Sequence, residues 1–186
     1  MGKYLNVGNA GFQSMRKGQY IDKTGMIRFI NQTLGTMEKL TCVSRPRRFG
    51  KSFAAKMLCA YYDRSCDSKA LFAGCRIAED AGFEEHLNRY DVLYLDITLF
   101  IAGAADIRNV VKDISKKVIG EIRQIYPEVR KEDTLFDTLS SVVQVTGNKF
   151  MLLFTGGIFL SGYAGQEASG VRPMWKTGQK QSYKPA

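Results

Sequence analysis

Apolar positions along this chain follow two rhythms, and their order predicts the elements. In "GMIRFINQTLG", Met26, Ile27, Phe29 and Ile30 form the apolar side of a short helix. Asp22 or Thr24 stands where its cap belongs, and Gly35 where it should end. "KLTCVS" (39–44) is a brief β-rich run, expected as a buried strand. "KSFAAKMLCAYYDR" spaces Phe53, Met57, Leu58, Tyr61 and Tyr62 as a helix beginning near Lys51. "LFAGCRIAEDAGFEEHLNRY" reads as a connection with a short helix around Glu84 to Asn88. "DVLYLDITLF" (91–100) is apolar almost throughout, the pattern of a strand buried on both faces in a parallel sheet. Ile107, Val110/Val111, Ile114, Val118, Ile122 and Ile125 then mark an amphipathic helix stopped by Pro127. "EDTLFDTLSSVVQVTG" predicts another helix closed by Gly147, and "NKFMLLF" (148–154) a returning strand. Strand, loop, helix, strand, helix, helix, strand is the alternation of an α/β layered domain.

After Phe154 that rhythm stops. Residues 155–186 hold six glycines and one acid, Glu167, against Arg172, Lys176, Lys180 and Lys184. They are expected to form a poorly ordered basic tail behind a domain spanning 1–154. The abruptness of the change leads us to expect a frame-shifted or rearranged end rather than a native continuation.

Composition narrows the classes. The 186 residues are 45% hydrophobic and 24% charged, ordinary for one soluble domain with a real core. No apolar stretch reaches the roughly 18–20 residues of a membrane span, and the first twenty residues lack a signal-peptide core. A cytoplasmic location without membrane contact is the expectation. Cys42 and Cys59 read as small core residues, His86 as exposed and idle, and Tyr61, Tyr62, Phe72 and Phe100 as packing. The net charge of +9 invites an anionic partner, nucleotide or nucleic acid.

The densest positive charge lies in "SRPRRFGKS", where Arg45, Arg47, Arg48 and Lys51 crowd one strand-to-helix turn. Gly50, Lys51 and Ser52 match the last three positions of G-x-x-x-x-G-K-[ST], a loop whose amides, lysine and hydroxyl hold phosphates and Mg²⁺. Arg45 occupies the place of the first glycine, and Pro46 fixes its own φ beside it. On spacing alone two readings stand: a nucleotide loop, or a basic turn with solvated arginines.

This string, paired with "YIDKTGMIRFI" upstream and followed by "LFAGCRIA" and "YDVLYLDIT", resembles the AAA-ATPase-like family over roughly residues 5 to 154. Members carry an Arg-Pro-Arg-Arg-Phe-Gly-Lys-[Ser/Thr] form of the Walker A loop, so Arg45 is the family's normal residue there. The resemblance implies a three-layer P-loop NTPase-like parallel sheet flanked by helices, incomplete at the C-terminus. It also implies ATP and Mg²⁺ as cofactors. Arg48, Phe49, Gly50, Lys51 and Ser52 would bind the nucleotide, with the Ser52 hydroxyl on the metal and Arg45 and Arg47 nearby. Longer members carry a PD-(D/E)xK nuclease-like domain that these 186 residues do not contain, so nuclease activity is not expected. The family's Walker B strand ends in Asp-Glu, but "NKFMLLF" runs into Thr155, Gly156 and Gly157. Asp96, after "VLYL", is a weak substitute metal-linked acid. Nucleotide binding with poor turnover or none is therefore expected. The alternative is a nucleic-acid-binding module using the arginine cluster and the tail, with no motif for specific readout.

Overall fold

Alternation along one strand decides the architecture. The computed structural model describes residues 2–43, 49–104 and 106–156. β1 (Asp91–Asp96) sends Val92 and Tyr94 into one apolar cluster and Leu93 and Leu95 into another. Successive side chains point to opposite faces, so a strand this apolar has to be covered twice. α1 (Ala10–Arg16), α2 (Gly25–Thr33) and α3 (Lys51–Tyr62) supply the first cluster through Phe12, Ile27, Ile30, Met57, Tyr61 and Tyr62. α5 (Val110–Ile125) and α6 (Leu135–Thr146) supply the second through Val110, Ile114, Val118, Ile122 and Val142.

β2 (Phe150–Thr155) pairs with β1 in parallel, Asp91 facing Phe150 and Asp96 facing Thr155. The result is an α/β arrangement with a two-stranded parallel sheet among the described residues. β1's other edge is taken by the N-terminal segment. Tyr94 N donates to Tyr4 O and Asn6 N to Val92 O, both at 2.8 Å. Glu121 of α5 holds that segment by accepting from the amides of Tyr4 and Leu5. Asp91, fully buried at the start of β1, accepts from Asn6 Nδ2 (2.7 Å), Tyr126 Oη (2.8 Å) and Asn148 Nδ2 (2.9 Å). Three donors on one carboxylate compensate its removal from water.

Several expectations need correction. Residues 39–43 form no strand; Leu40 and Val43 are exposed, and so is Cys42, which is no core residue. β2 has no second partner among the described residues, and β propensity cannot hold a strand without a neighbour. The run 91–100 breaks at Asp96, whose carboxylate accepts from Thr98 N at 3.0 Å and starts α4 (Ile97–Ala102). No helix forms around Glu84–Asn88; short 3₁₀ turns at Lys69–Phe72 and Arg76–Glu79 carry the connection instead. His86 is not idle: its Nδ1 shares a 2.8 Å hydrogen bond with Tyr90 Oη. Phe53 is exposed at the start of α3 rather than part of its buried side. The helices at 25–33, 51–62, 110–125 and 135–146 and the strand at 150–155 fall where the pattern puts them. The expected tail beyond Gly156 lies outside the described residues.

Candidate functional site

α3 is the most buried helix among the described residues, and its amino end opens to solvent. From Ala54 onward all but one of its residues are buried; Ser52 and Phe53 are exposed and Lys51 is half-buried. Gly50 precedes it with φ +75°, and its carbonyl accepts the first intrahelical bond, from Ala54 N at 2.9 Å. An L side chain at that φ is strained, so the position calls for glycine. The first-turn N–H groups of any helix have no acceptor inside it, and they carry the positive end of the helix dipole.

Direction follows from the other end. Tyr90 N donates to Tyr62 O at 2.9 Å and Asn88 N to Tyr61 O at 2.7 Å, so α3 finishes where β1 begins. α3 packs on both strands and runs back along them. Its twelve residues extend about 18 Å, matching the length of a six-residue strand. Its amino end therefore faces the C-terminal edge of the sheet, where Asp96 and Thr155 lie side by side.

One further cation reaches this place. Lys23 Nζ donates to Phe49 O at 2.9 Å, and a Cβ on Gly50 would stand 2.5 Å from that nitrogen. The stretch that carries Lys23 is tied down on every side. Asp22 accepts from Thr24 N and from Arg76 N, both at 2.8 Å. Burial would raise the Asp22 carboxyl, but those amide bonds outweigh it and hold the group below its ordinary value. Thr24 is fully buried, and its Oγ1 accepts from Ile77 N. Tyr20 meets Phe12 edge-on and donates its hydroxyl to Met57 Sδ at 3.4 Å; burial pushes the phenol up to about 12. Asp22 thus serves the turn at Arg76 as well as its own loop, and Thr24, at the cap position of α2, makes no side-chain cap bond.

The residues singled out from sequence divide accordingly. Phe49, Gly50, Lys51 and Ser52 are contiguous at the mouth of α3. Arg45, Arg47 and Arg48, which also carried the nucleic-acid alternative, lie outside the described residues. Asp96 lies at the same edge of the sheet, but its carboxylate is engaged as the cap of α4. No group of three or more His, Cys, Asp or Glu able to hold a metal occurs among the described residues. No helix there is long and apolar enough to cross a membrane. Lys23 is the residue that motif reading left without a role; its signal was its place inside "YIDKT", but the contact with Phe49 spans 26 positions and is not visible in the string.

Two parallel strands under helices, with Gly-Lys-Ser opening a mostly buried helix, are those of an α/β domain among the described residues. The chain belongs to the AAA-ATPase-like family, described as predicted AAA-ATPases, whose model matches residues 6–155. No curated protein and no solved structure matches it.

Proposed function

We propose that the chain is a P-loop NTPase-like core that binds a Mg-nucleoside triphosphate, ATP in the first place, at the amino end of α3. The observation that carries this reading is Gly50: left-handed, directly ahead of Lys51 and Ser52, at the solvent end of an otherwise buried helix, in a member of an ATPase-like family. Such an end attracts phosphate through its amides and its dipole. The donor set fits the ligand. Backbone N–H groups of residues 49–52 would face the phosphates, the Lys51 ammonium would neutralise the β- and γ-oxygens, and Ser52 would offer its hydroxyl to the metal. Arg45, Arg47 and Arg48, next to Phe49 in sequence, would add positive charge for the same ligand. When bound, Mg²⁺ supplies charge neutralisation between the phosphates.

The acid side fits less well. Asp96 is committed to Thr98 N, and Thr155 and Gly156 at the neighbouring strand end carry no charge. The reading is therefore nucleotide binding with slow turnover or none. Thermal unfolding of wild type and Lys51→Ala with Mg-ATP tests it. A ligand at about 100 times its Kd adds roughly 2.7 kcal/mol to the folded state. Saturable stabilisation of wild type, lost in Lys51→Ala, is the expected outcome; no shift of folded wild type with millimolar Mg-ATP rejects the reading.

A further inference from the structure

The stretch Tyr20–Thr24 is built more elaborately than the start of a nine-residue helix requires. Tyr20 is anchored on Phe12 and Met57, Asp22 on the amides of Thr24 and Arg76, and Thr24 on the amide of Ile77. These contacts fix the stretch to three separate parts of the molecule: α1, α3 and the turn at Arg76. The side chain that such a platform delivers is Lys23, and it arrives at the peptide between Phe49 and Gly50.

We propose that Lys23 is the positioning residue of the phosphate loop. Its ammonium pins the Phe49 carbonyl away from the anion, and a peptide unit is planar, so fixing that carbonyl fixes the Gly50 N–H on its opposite side. The same nitrogen fills the space that a Cβ on Gly50 would need. Gly50 is thus held left-handed, and the first amides of α3 are presented before any ligand arrives. Preorganisation of this kind raises affinity because the bound geometry no longer has to be ordered on binding. The role differs from that of Lys51, the residue placed against the phosphates. It rests on the nucleotide reading, and the test keeps the two apart.

The full chain is compared as wild type, Lys23→Ala, Lys23→Met and Lys51→Ala. Lys23→Met keeps the aliphatic stem, so a packing defect in the alanine variant does not decide the matter. Calorimetric titration with Mg-ATP is read beside amide hydrogen exchange of the ligand-free protein. Both Lys23 variants are expected to bind Mg-ATP about threefold more weakly, the effect of losing one exposed hydrogen bond, and to exchange faster over residues 49–55, with α5 unchanged. Lys51→Ala is expected to lose affinity, because it removes the ammonium proposed to meet the phosphates. Wild-type affinity in both Lys23 variants overturns the proposal. So does weakened binding with unchanged exchange, which would make Lys23 a direct phosphate contact. Should wild type bind no Mg-ATP, the nucleotide reading falls, and the exchange arm alone upholds or overturns the pin.

Discussion

Replacing Gly50 with alanine puts a number on the geometry of the loop. The backbone there has φ +75°, where a Cβ costs roughly 1–2 kcal/mol relative to glycine. The added methyl would stand 2.5 Å from Lys23 Nζ, so the ammonium must swing aside and release the Phe49 carbonyl. A flexible side chain moves at little steric cost, and the lost bond is solvent-exposed, so this second part belongs at the low end of about 0.5–1.5 kcal/mol. Together they disfavour the loop conformation by about 2 kcal/mol. If that conformation is the one that binds, Mg-ATP affinity falls by about thirtyfold. Global stability changes less, because the loop can relax locally while the core stays packed. Titration calorimetry of Gly50→Ala measures the loss directly. The same substitution in a Lys23→Ala background should cost only the backbone part, so the two effects are less than additive. A Gly50→Ala Kd within threefold of wild type would refute the reasoning, since neither the strain nor the displaced ammonium would then matter to binding.

Two further outcomes follow from groups around the site. Asp22 has a depressed pKa in the folded chain, so its stabilisation is present above the unfolded carboxyl value of about 3.9 and is lost as pH falls through the lower folded value. Urea unfolding from pH 7 to 2.5 should show wild type losing its advantage over Asp22→Asn below about pH 4; a gap constant down to pH 2.5 would contradict the assignment. Cys42 is exposed, whereas Cys59 and Cys75 are buried, with Cys59 pushed up to about 12 by burial and by the nearby Asp63. A thiol reagent at neutral pH should label Cys42 in the native protein and reach Cys59 only after denaturation, and mass mapping of the labelled peptides checks the order.

The elements that periodicity located are those whose apolar face has something to meet. Ile114, Val118 and Ile122 recur at helical spacing because β1 offers Leu93 and Leu95 opposite them, and the same match places α3 and β2. Failures occur where a short-range preference was outvoted. Ile97, Thr98 and Leu99 read as strand by residue type, yet Asp96 bonds the Thr98 amide and turns the chain into α4; that cap signal lay in the sequence but was outweighed by β-branching. Leu40 and Val43 read as strand with no way of asking what would pair with them. α1 went unseen because it buries a single residue, Phe12, too few to leave a periodic trace. The site divides the same way. Gly-Lys-Ser is local and legible, whereas Lys23 joins it through a contact that only the folded platform creates.

Turnover depends on what the two strand ends can carry. Family resemblance expects acids after β2, and the simplest repair would restore them. Gly156 has φ +96°, and a Cβ there would fall on Thr98 Oγ1 and lie 2.8 Å from Thr98 N. Thr98 N is the amide that Asp96 already accepts, so the collision strikes the backbone of the α4 cap and not a side chain that can swing away. Moving it would loosen α4 and disturb the Asp96–Thr155 pairing at once. The left-handed strain costs about 1–2 kcal/mol and the overpacking about 1–3 kcal/mol. Gly156→Ala should therefore lower the urea midpoint clearly, whereas Gly156→Glu should do so without producing phosphate release above background. Hydrolysis appearing in Gly156→Glu at wild-type stability would refute this reasoning and show that the edge can accept an acid.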